Sequence, residues 1–349
     1  MLLCRAILRR AGPFPTLNRR FYPTMRDASP STPVSVPRAA SFHAPQADAA
    51  LIELSSGDTR LTVAPHIGGS IASYYDVSTT GPLHWFRPAT QSALNARDPL
   101  RMGSFPLFPY CNRIRDARFE FEGRTVDLAG DGNRFPHALH GHAWRRAWSV
   151  GTRTPSALEL HFEHVPDPRR RGDWPFHYDA QQRIELIGGA LHLTLSAHNR
   201  SDRPMPFGMG HHPYYPRTPH TQVHAQVQAM WHADRDVLPT HLGPHPAVDA
   251  LRSGMPADAF DLDNNFAGWA HEAIVTWTDE RRRLTLTAEA PFDHLVVFAP
   301  ANEDLLCVEP VTNTTDSFNA GETPGHAGGQ VLMPGEAITA RIVWTPQRF

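Results

Sequence analysis

From about residue 51 onward, apolar and polar residues alternate with a period of two in one segment after another, the mark of half-buried strands. The pattern reads LTV at 61–63, FEF at 119–121, LELHF at 158–162, LHLTL at 191–195, VHAQV at 223–227, LTL at 284–286 and ITARIVW at 338–344. Gly, Pro, Asn and Asp clusters separate these runs, and long helical stripes are nearly absent. The 33 prolines fit the same picture, because proline interrupts helices and sits well in turns. The expected fold is all-β: a large antiparallel β-sandwich over residues 51–349, without internal repeat or linker. A sandwich of that length uses many strands, and its sheets can curve to leave a broad concave face. Polar side chains on such a face suit a carbohydrate, whose hydroxyls all need hydrogen-bond partners.

The first fifty residues differ. Seven arginines stand there against two aspartates, and Pro, Ser and Ala dominate residues 28–50. They are read as a disordered extension, or as the product of an upstream start with Met25 the true initiator; an organelle-targeting segment is the alternative. Lys+Arg total 33 and Asp+Glu 35, a balance that gives no electrostatic case for nucleic acid or an anionic membrane as partner. Three scattered cysteines make neither a disulfide framework nor a CxxC unit. No apolar run is long enough to span a bilayer, and a cytoplasmic location is expected.

Four segments place ionisable groups beside Gly, Pro and aromatic residues: FPYCNRI at 108–114, LHGHAW at 139–144, GMGHHPYY at 208–215, and LLCVEP at 305–310 running on into VTNTTDSFN. Each is ambiguous by itself. Arg113 suits either a ligand or a buried structural carboxylate. His140 and His142 are two apart, so on a strand they would share a face and could supply two metal ligands, with His212 the plausible third; packing and hydrogen bonding are the plainer use of such a pair. His211 and His212 are adjacent, so on a strand they point to opposite faces and only one can address a cleft. Leu305, Cys307 and Glu309 share one face of a strand and Leu306 and Val308 the other. Glu309 stands at the end of this apolar strand, before Pro310. Burial there would raise its pKa and suit it to proton transfer, whereas a strand end facing water would not.

Taken together and in order, these segments resemble the aldose 1-epimerase (galactose mutarotase) family. APHIGGS at 64–70, the extended FPLFPYCNRI at 105–114, WPF at 174–176, LDN at 262–264 followed by Phe266, and MPGE at 333–336 complete the set, so that the resemblance covers nearly all of residues 51–349. It implies a galactose mutarotase-like supersandwich and an isomerase that interconverts the α and β anomers of an aldohexose. Carried over position by position, it implies Glu309 as catalytic base and His212 as catalytic acid. His140 would hold the sugar near its ring oxygen, Arg113 would bind substrate, and Asp263 would grip hydroxyls; Asn112 and Tyr214 are also expected at the substrate. The chain departs from the common pattern in reading HHP at 211–213 and HGH at 140–142, departures that bear on sugar preference.

The residue types agree with that chemistry. Opening a hemiacetal ring needs a proton taken from the C1 hydroxyl and one given to the ring oxygen, which a base and an acid accomplish. Arg113 and His140 would stabilise developing charge. No hydride or phosphoryl group moves, so no cofactor is expected, and the chain has neither a dinucleotide fingerprint nor a P-loop. The expected partner is a small-molecule sugar. With the sugar lodged between them, Glu309 and His212 should stand roughly 5–8 Å apart. The alternatives are a mutarotase for a phosphorylated or sulfonated hexose, with Arg115, Arg118, Arg145 and Arg146 as its anion site, and a non-catalytic carbohydrate-binding protein on the same scaffold.

Overall fold

The structure is a computed structural model, and it describes residues 50–130, 136–301, 303–320 and 327–349. The expectation for residues 1–50 falls outside these, save for residue 50. Every alternating run named above lies wholly or largely in a strand, with its alternating apolar members buried save Phe121 and Ile338, which are partly buried and packed against the core.

Among the described residues the strands form two large antiparallel sheets and several smaller ones. The larger, nine-stranded sheet runs in the order Ser149–Arg153, Ala157–His164, Tyr178–Ile187, Ala190–Asn199, Ala337–Arg348, Arg282–Ala288, Glu272–Trp277, Thr221–Ala225, Met255–Pro256. The second runs Pro239–Gly243, Ala229–Ala233, Leu262–Ala267, His294–Ala299, Leu306–Val311, Gly210–His211, Pro106–Leu107, with Tyr214–Tyr215 also paired to Leu306–Val311. A four-stranded meander spans Ile52 to Phe86. The helices among the described residues are short, Gln91–Ala96 and Pro246–Ser253, and none is long and apolar enough to cross a membrane.

A shared hydrophobic core joins the sheets. Trp344 of the larger sheet donates its indole N–H to the Tyr215 hydroxyl of the second at 3.0 Å, and Phe86 of the meander meets both rings edge-on. Such aromatic contacts add to the area they bury. The strand Leu306–Val311 is buried throughout. Leu306 and Val308 face this core, while Cys307 and Val311 face a smaller cluster with Phe105, Trp144 and Tyr214. The alternation read from sequence therefore holds along this strand. Pro310 does not stop it, however: it pairs with Leu295, and the strand continues to Val311.

Candidate active site

One antiparallel register explains the centre of the site. Gly210 pairs with Val311, Tyr214 with Cys307 and Tyr215 with Leu306. These pairs belong to a single register, interrupted between residues 211 and 214. Continued across the interruption, that register sets His212 directly opposite Glu309. Two prolines flank the pair, Pro213 after His212 and Pro310 after Glu309, and neither has an N–H to give to a ladder. The His212 N–H bonds instead to the Phe105 carbonyl on the neighbouring segment, at 2.9 Å. Cross-strand neighbours have side chains close enough to touch, and the Nε2 of His212 lies 3.3 Å from the Oε1 of Glu309. That is a correction to the expected 5–8 Å separation, which assumed a sugar lodged between the two groups.

Both members of the pair are buried. Burial holds the Glu309 carboxyl well above the usual carboxylate range; Asp263 pushes it further up and Arg113 opposes. Burial likewise pushes His212 down to about 3, with Arg87 adding to the effect. Each group is driven toward its neutral form, so the pair holds one proton. The buried Oε2 of Glu309 has no hydrogen-bond partner among the described residues, a costly arrangement that needs a reason.

His212 is clamped. Its ring stacks between Phe105 and Tyr214, with centroids 4.7 Å away on each side. The Arg87 guanidinium lies 3.9 Å from the Tyr214 ring centre and is anchored on the carbonyls of Leu100 and Met102. The structure thus puts Tyr214 against the His212 ring, and it brings in Phe105 and Arg87, which sequence reasoning had not singled out. The adjacent His211 faces the other way, hydrogen-bonded to Ser104 and packed near Trp344, as the alternation requires.

His140 and Asn112 face each other across the next turn. Both have left-handed backbones, with φ of 58° at each. The His140 N–H donates to the Asn112 carbonyl at 2.8 Å, and the Asn112 N–H donates to Nδ1 of His140 at 3.0 Å. A ring nitrogen that accepts from an amide carries no proton, so neutral His140 has its hydrogen on Nε2. Burial keeps the ring neutral, and His212 and Arg113 act in the same direction. The His140 ring centre is 5.3 Å from that of His212.

The left-handed turn at His140 and Gly141 also overturns the expectation that His140 and His142 share a face. His142 turns away to pack against His164 at 4.3 Å between ring centres, and its Nε2 meets the Tyr178 hydroxyl at 3.1 Å. The expected set of His140, His142 and His212 does not converge. The grouping of possible metal ligands at this site is instead His212, Cys307 and Glu309.

Arg113 reaches Asp263 with Nη2 at 3.2 Å and Asn112 Oδ1 with Nη1 at 3.1 Å. Asp263 comes from the strand Leu262–Ala267, and burial raises its pKa while Arg113 lowers it. Both side chains remain about a quarter exposed, so this ion pair is the partly open side of an otherwise buried site. Asp263 also lines a cleft of about 440 Å³ with Met230, His232 and Phe298. A larger cleft, about 770 Å³, lies against Arg115, Trp231, Thr240 and Asp316; neither Glu309 nor His212 lines it.

The seven residues singled out from sequence thus form one connected group: Glu309 to His212, His212 to Tyr214 and His140, His140 to Asn112, Asn112 to Arg113 and Arg113 to Asp263. The family model for aldose 1-epimerase matches residues 50–345. An uncharacterised Escherichia coli K12 protein, YphB, is 30% identical over 305 residues, covering 83% of this chain and 98% of that protein. A crystal structure from Escherichia coli K12, described as a candidate aldose 1-epimerase, superposes with a TM-score of 0.76 at 25% identity, over 86% of this chain and 99% of that one. A galactose mutarotase-like protein from Clostridium acetobutylicum has the same fold, with a TM-score of 0.76 at 18% identity over 86% of this chain and 95% of its own. A family match across almost all the described residues, joined to an all-β galactose mutarotase-like fold, places this chain in the aldose 1-epimerase family.

Proposed function

We propose that the protein is a mutarotase for a neutral aldohexose, working by proton transfer through the Glu309–His212 pair. The observation that carries this reading is the buried Glu309–His212 pair at 3.3 Å with an unpartnered carboxylate oxygen. The C1 hydroxyl oxygen and the ring oxygen of a pyranose are bonded to one carbon and lie close together. Two proton-transfer groups in contact can therefore address both from one side, with the sugar edge lying across the pair. Glu309 as carboxylate takes the C1 hydroxyl proton while protonated His212 gives one to the ring oxygen. The C1–O5 bond breaks, the open aldehyde rotates about C1–C2, and the ring closes on the other face with the roles reversed. The pair's proton first crosses from Glu309 to His212 over the 3.3 Å contact; the pair then enters the step as carboxylate and imidazolium and leaves it as carboxylic acid and imidazole, so its total proton count is unchanged. Burial favours the second form, the one that accompanies the open chain.

The remaining groups bind and position. His140 presents an Nε2–H beside His212, suited to the ring oxygen as it develops charge. Arg113 and Asp263 offer donor and acceptor to hydroxyls at the partly open side. The Phe105–Tyr214 stack fixes the His212 ring.

A neutral sugar fits better than an anionic one. Arg115 and Arg118 share the larger cleft with Asp116, Glu120 and Asp316. Arg115 pairs with Asp316 at 3.3 Å and Arg118 with Asp127 at 2.7 Å, while Arg146 lies 3.6 Å from Asp173. The cleft therefore has no surplus of positive charge for a phosphate or sulfonate.

Polarimetry of freshly dissolved α-glucose and α-galactose, with spontaneous mutarotation subtracted, tests the proposal. Acceleration is expected, and Glu309→Gln should lower kcat by about 10²-fold or more. Sugar binding without acceleration would turn the reading into a carbohydrate-binding module. Near-wild-type acceleration by Glu309→Gln would remove the acid–base assignment.

A further inference from the structure

We propose that His212, Cys307 and Glu309 form a binding site for a single divalent cation of the zinc class, and that the bound ion shuts off the acid–base pair. The three side chains are buried, and their ligand atoms (a ring nitrogen, the thiol sulfur and a carboxylate oxygen) all lie within 4.8 Å of one another. The fold produces the convergence. Cys307 and Glu309 are two apart on one strand and so share a face, and His212 stands across from Glu309 in register.

Two further observations point to a cation. Zinc bonds of about 2.0–2.2 Å to nitrogen and oxygen imply a tetrahedral N···O edge of about 3.3–3.5 Å, and the His212 Nε2 to Glu309 Oε1 distance is 3.3 Å. This pair already has the spacing of two ligands on one ion, and the thiol sulfur lies within 4.8 Å of both. The Oε2 of Glu309 is buried without a partner, so a second carboxylate oxygen is also available. A mixed N, S, O donor set suits zinc and its neighbours; magnesium and calcium prefer oxygen alone. Arg113 and Asp263 are the partly exposed members of the same connected group, and there the Asp263 carboxylate offsets the Arg113 charge.

Proton balance fixes the direction of the pH effect. The thiol of Cys307 and the carboxyl of Glu309 each give up a proton on binding, and His212 binds as neutral imidazole. One cation enters and two protons leave, so affinity rises with pH. Block of catalysis rests on the mutarotase reading above, because an ion on Glu309 and His212 removes the base and the acid together. Binding does not rest on it.

The test uses the full chain and cobalt(II) as a spectroscopic stand-in for zinc. Equimolar cobalt should give a sulfur-to-metal charge-transfer band, and added zinc should abolish it. Cys307→Ser and Cys307→Ala should each lose the band. Each should also weaken zinc binding, measured calorimetrically, by about 10- to 100-fold or more, since even losing a partner behind a ligand costs that much. Zinc should suppress wild-type mutarotation, and either cysteine variant should need correspondingly more zinc for the same fractional loss. A partly exposed grouping of Glu163, His177 and Asp179 offers a second place for metal, but it has no sulfur and cannot give the band. A wild-type protein without the band, or cysteine variants that bind zinc as tightly as wild type, would overturn the site. A protein that shows the band but does not accelerate mutarotation would keep the site and remove the functional reading.

Discussion

Glu309 and His212 are cross-strand neighbours in one register, each followed by a proline, with Oε1 and Nε2 3.3 Å apart. The ladder is interrupted here, and the two side chains that would otherwise close over a regular sheet become a buried pair in contact. Such a pair should behave as a unit. Glu309→Gln and His212→Asn should each lower kcat by about 10²-fold or more, and the double variant should be little worse than either single one. Steady-state polarimetry of the four proteins checks this. Losses that simply multiply would show two groups acting independently.

Arg113 and Asp263 should couple in substrate binding. Arg113→Ala and Asp263→Asn are each expected to raise KM and to lower kcat/KM. Because the two side chains touch at 3.2 Å, their effects should be non-additive, with a coupling of about 0.5–3 kcal/mol. Partial exposure puts the expected value toward the lower end. A double-mutant cycle on kcat/KM measures it, and a coupling indistinguishable from zero would separate the ion pair from the sugar site.

Much of this arrangement was legible in the residues, and what was not has a physical reason. Alternation is local, so the strand Leu306–Val311 and the opposed faces of His211 and His212 could be read directly. Register is not local. Nothing in HHP or VEP by itself says that His212 and Glu309 stand opposite each other, and a separation sized to a sugar between them came out too long. His140 and His142 misled because a period-two argument assumes extended backbone, and His140 and Gly141 are both left-handed. The stack of Arg87, Tyr214, His212 and Phe105 joins distant segments, and no spacing rule would find it. The one available signal was the proline after each catalytic candidate, since a buried strand rarely keeps a residue without an N–H unless its ladder is interrupted.

Removing metal should not remove activity. The proposed reaction needs only a base and an acid, so exhaustive treatment with EDTA is expected to leave the mutarotation rate unchanged, or raised where a trace of zinc had occupied the pair. Loss of activity restored by added zinc would contradict both the acid–base mechanism and the inhibitory role of the His212–Cys307–Glu309 site.

Gly141 should be irreplaceable for steric reasons. Its φ is +69°, and a Cβ there would stand 1.9 Å from the Phe108 carbonyl oxygen and 2.4 Å from its carbon. The next residue, His142, is tied to the same carbonyl by its own N–H at 3.1 Å, so the segment has little freedom to back away. Gly141→Ala should cost about 1–3 kcal/mol of stability and should displace His140, lowering kcat at temperatures where the variant is still folded. Gly57→Ala is the control. Its φ is +58° with nothing within 4 Å, so it should show only the backbone cost, about 1 kcal/mol, with kcat unchanged. Equal effects of the two substitutions on kcat would disconnect the Phe108 contact from the site.

The buried histidines should make the fold sensitive to acid. Burial pushes His211 down to about 3, with His212 adding to the effect, whereas a histidine in the unfolded chain titrates near ~6.5. Below that pH the unfolded chain binds a proton that the folded one refuses. The contribution of His211 is therefore fully present above pH ~6.5 and is lost as pH falls, by about 1.4 kcal/mol per unit, until the folded-state value near 3 is reached. His140, His142 and His212 are shifted the same way, burial leading in each. Glu309 works against them: its raised pKa lets the folded state hold a proton first, which favours folding as pH falls toward the ordinary carboxyl range. Asp263, also raised by burial, acts as Glu309 does, and four histidines against these two carboxyls leave a net loss. Urea unfolding at pH 7.5 and 5.5 should show the protein markedly less stable at the lower pH. His211→Gln should shrink that difference by about 1.4 kcal/mol, whatever it does to stability at either pH alone. An unchanged difference would mean that His211 takes up its proton in the folded protein, and the opposed-face placement of His211 and His212 would then be wrong.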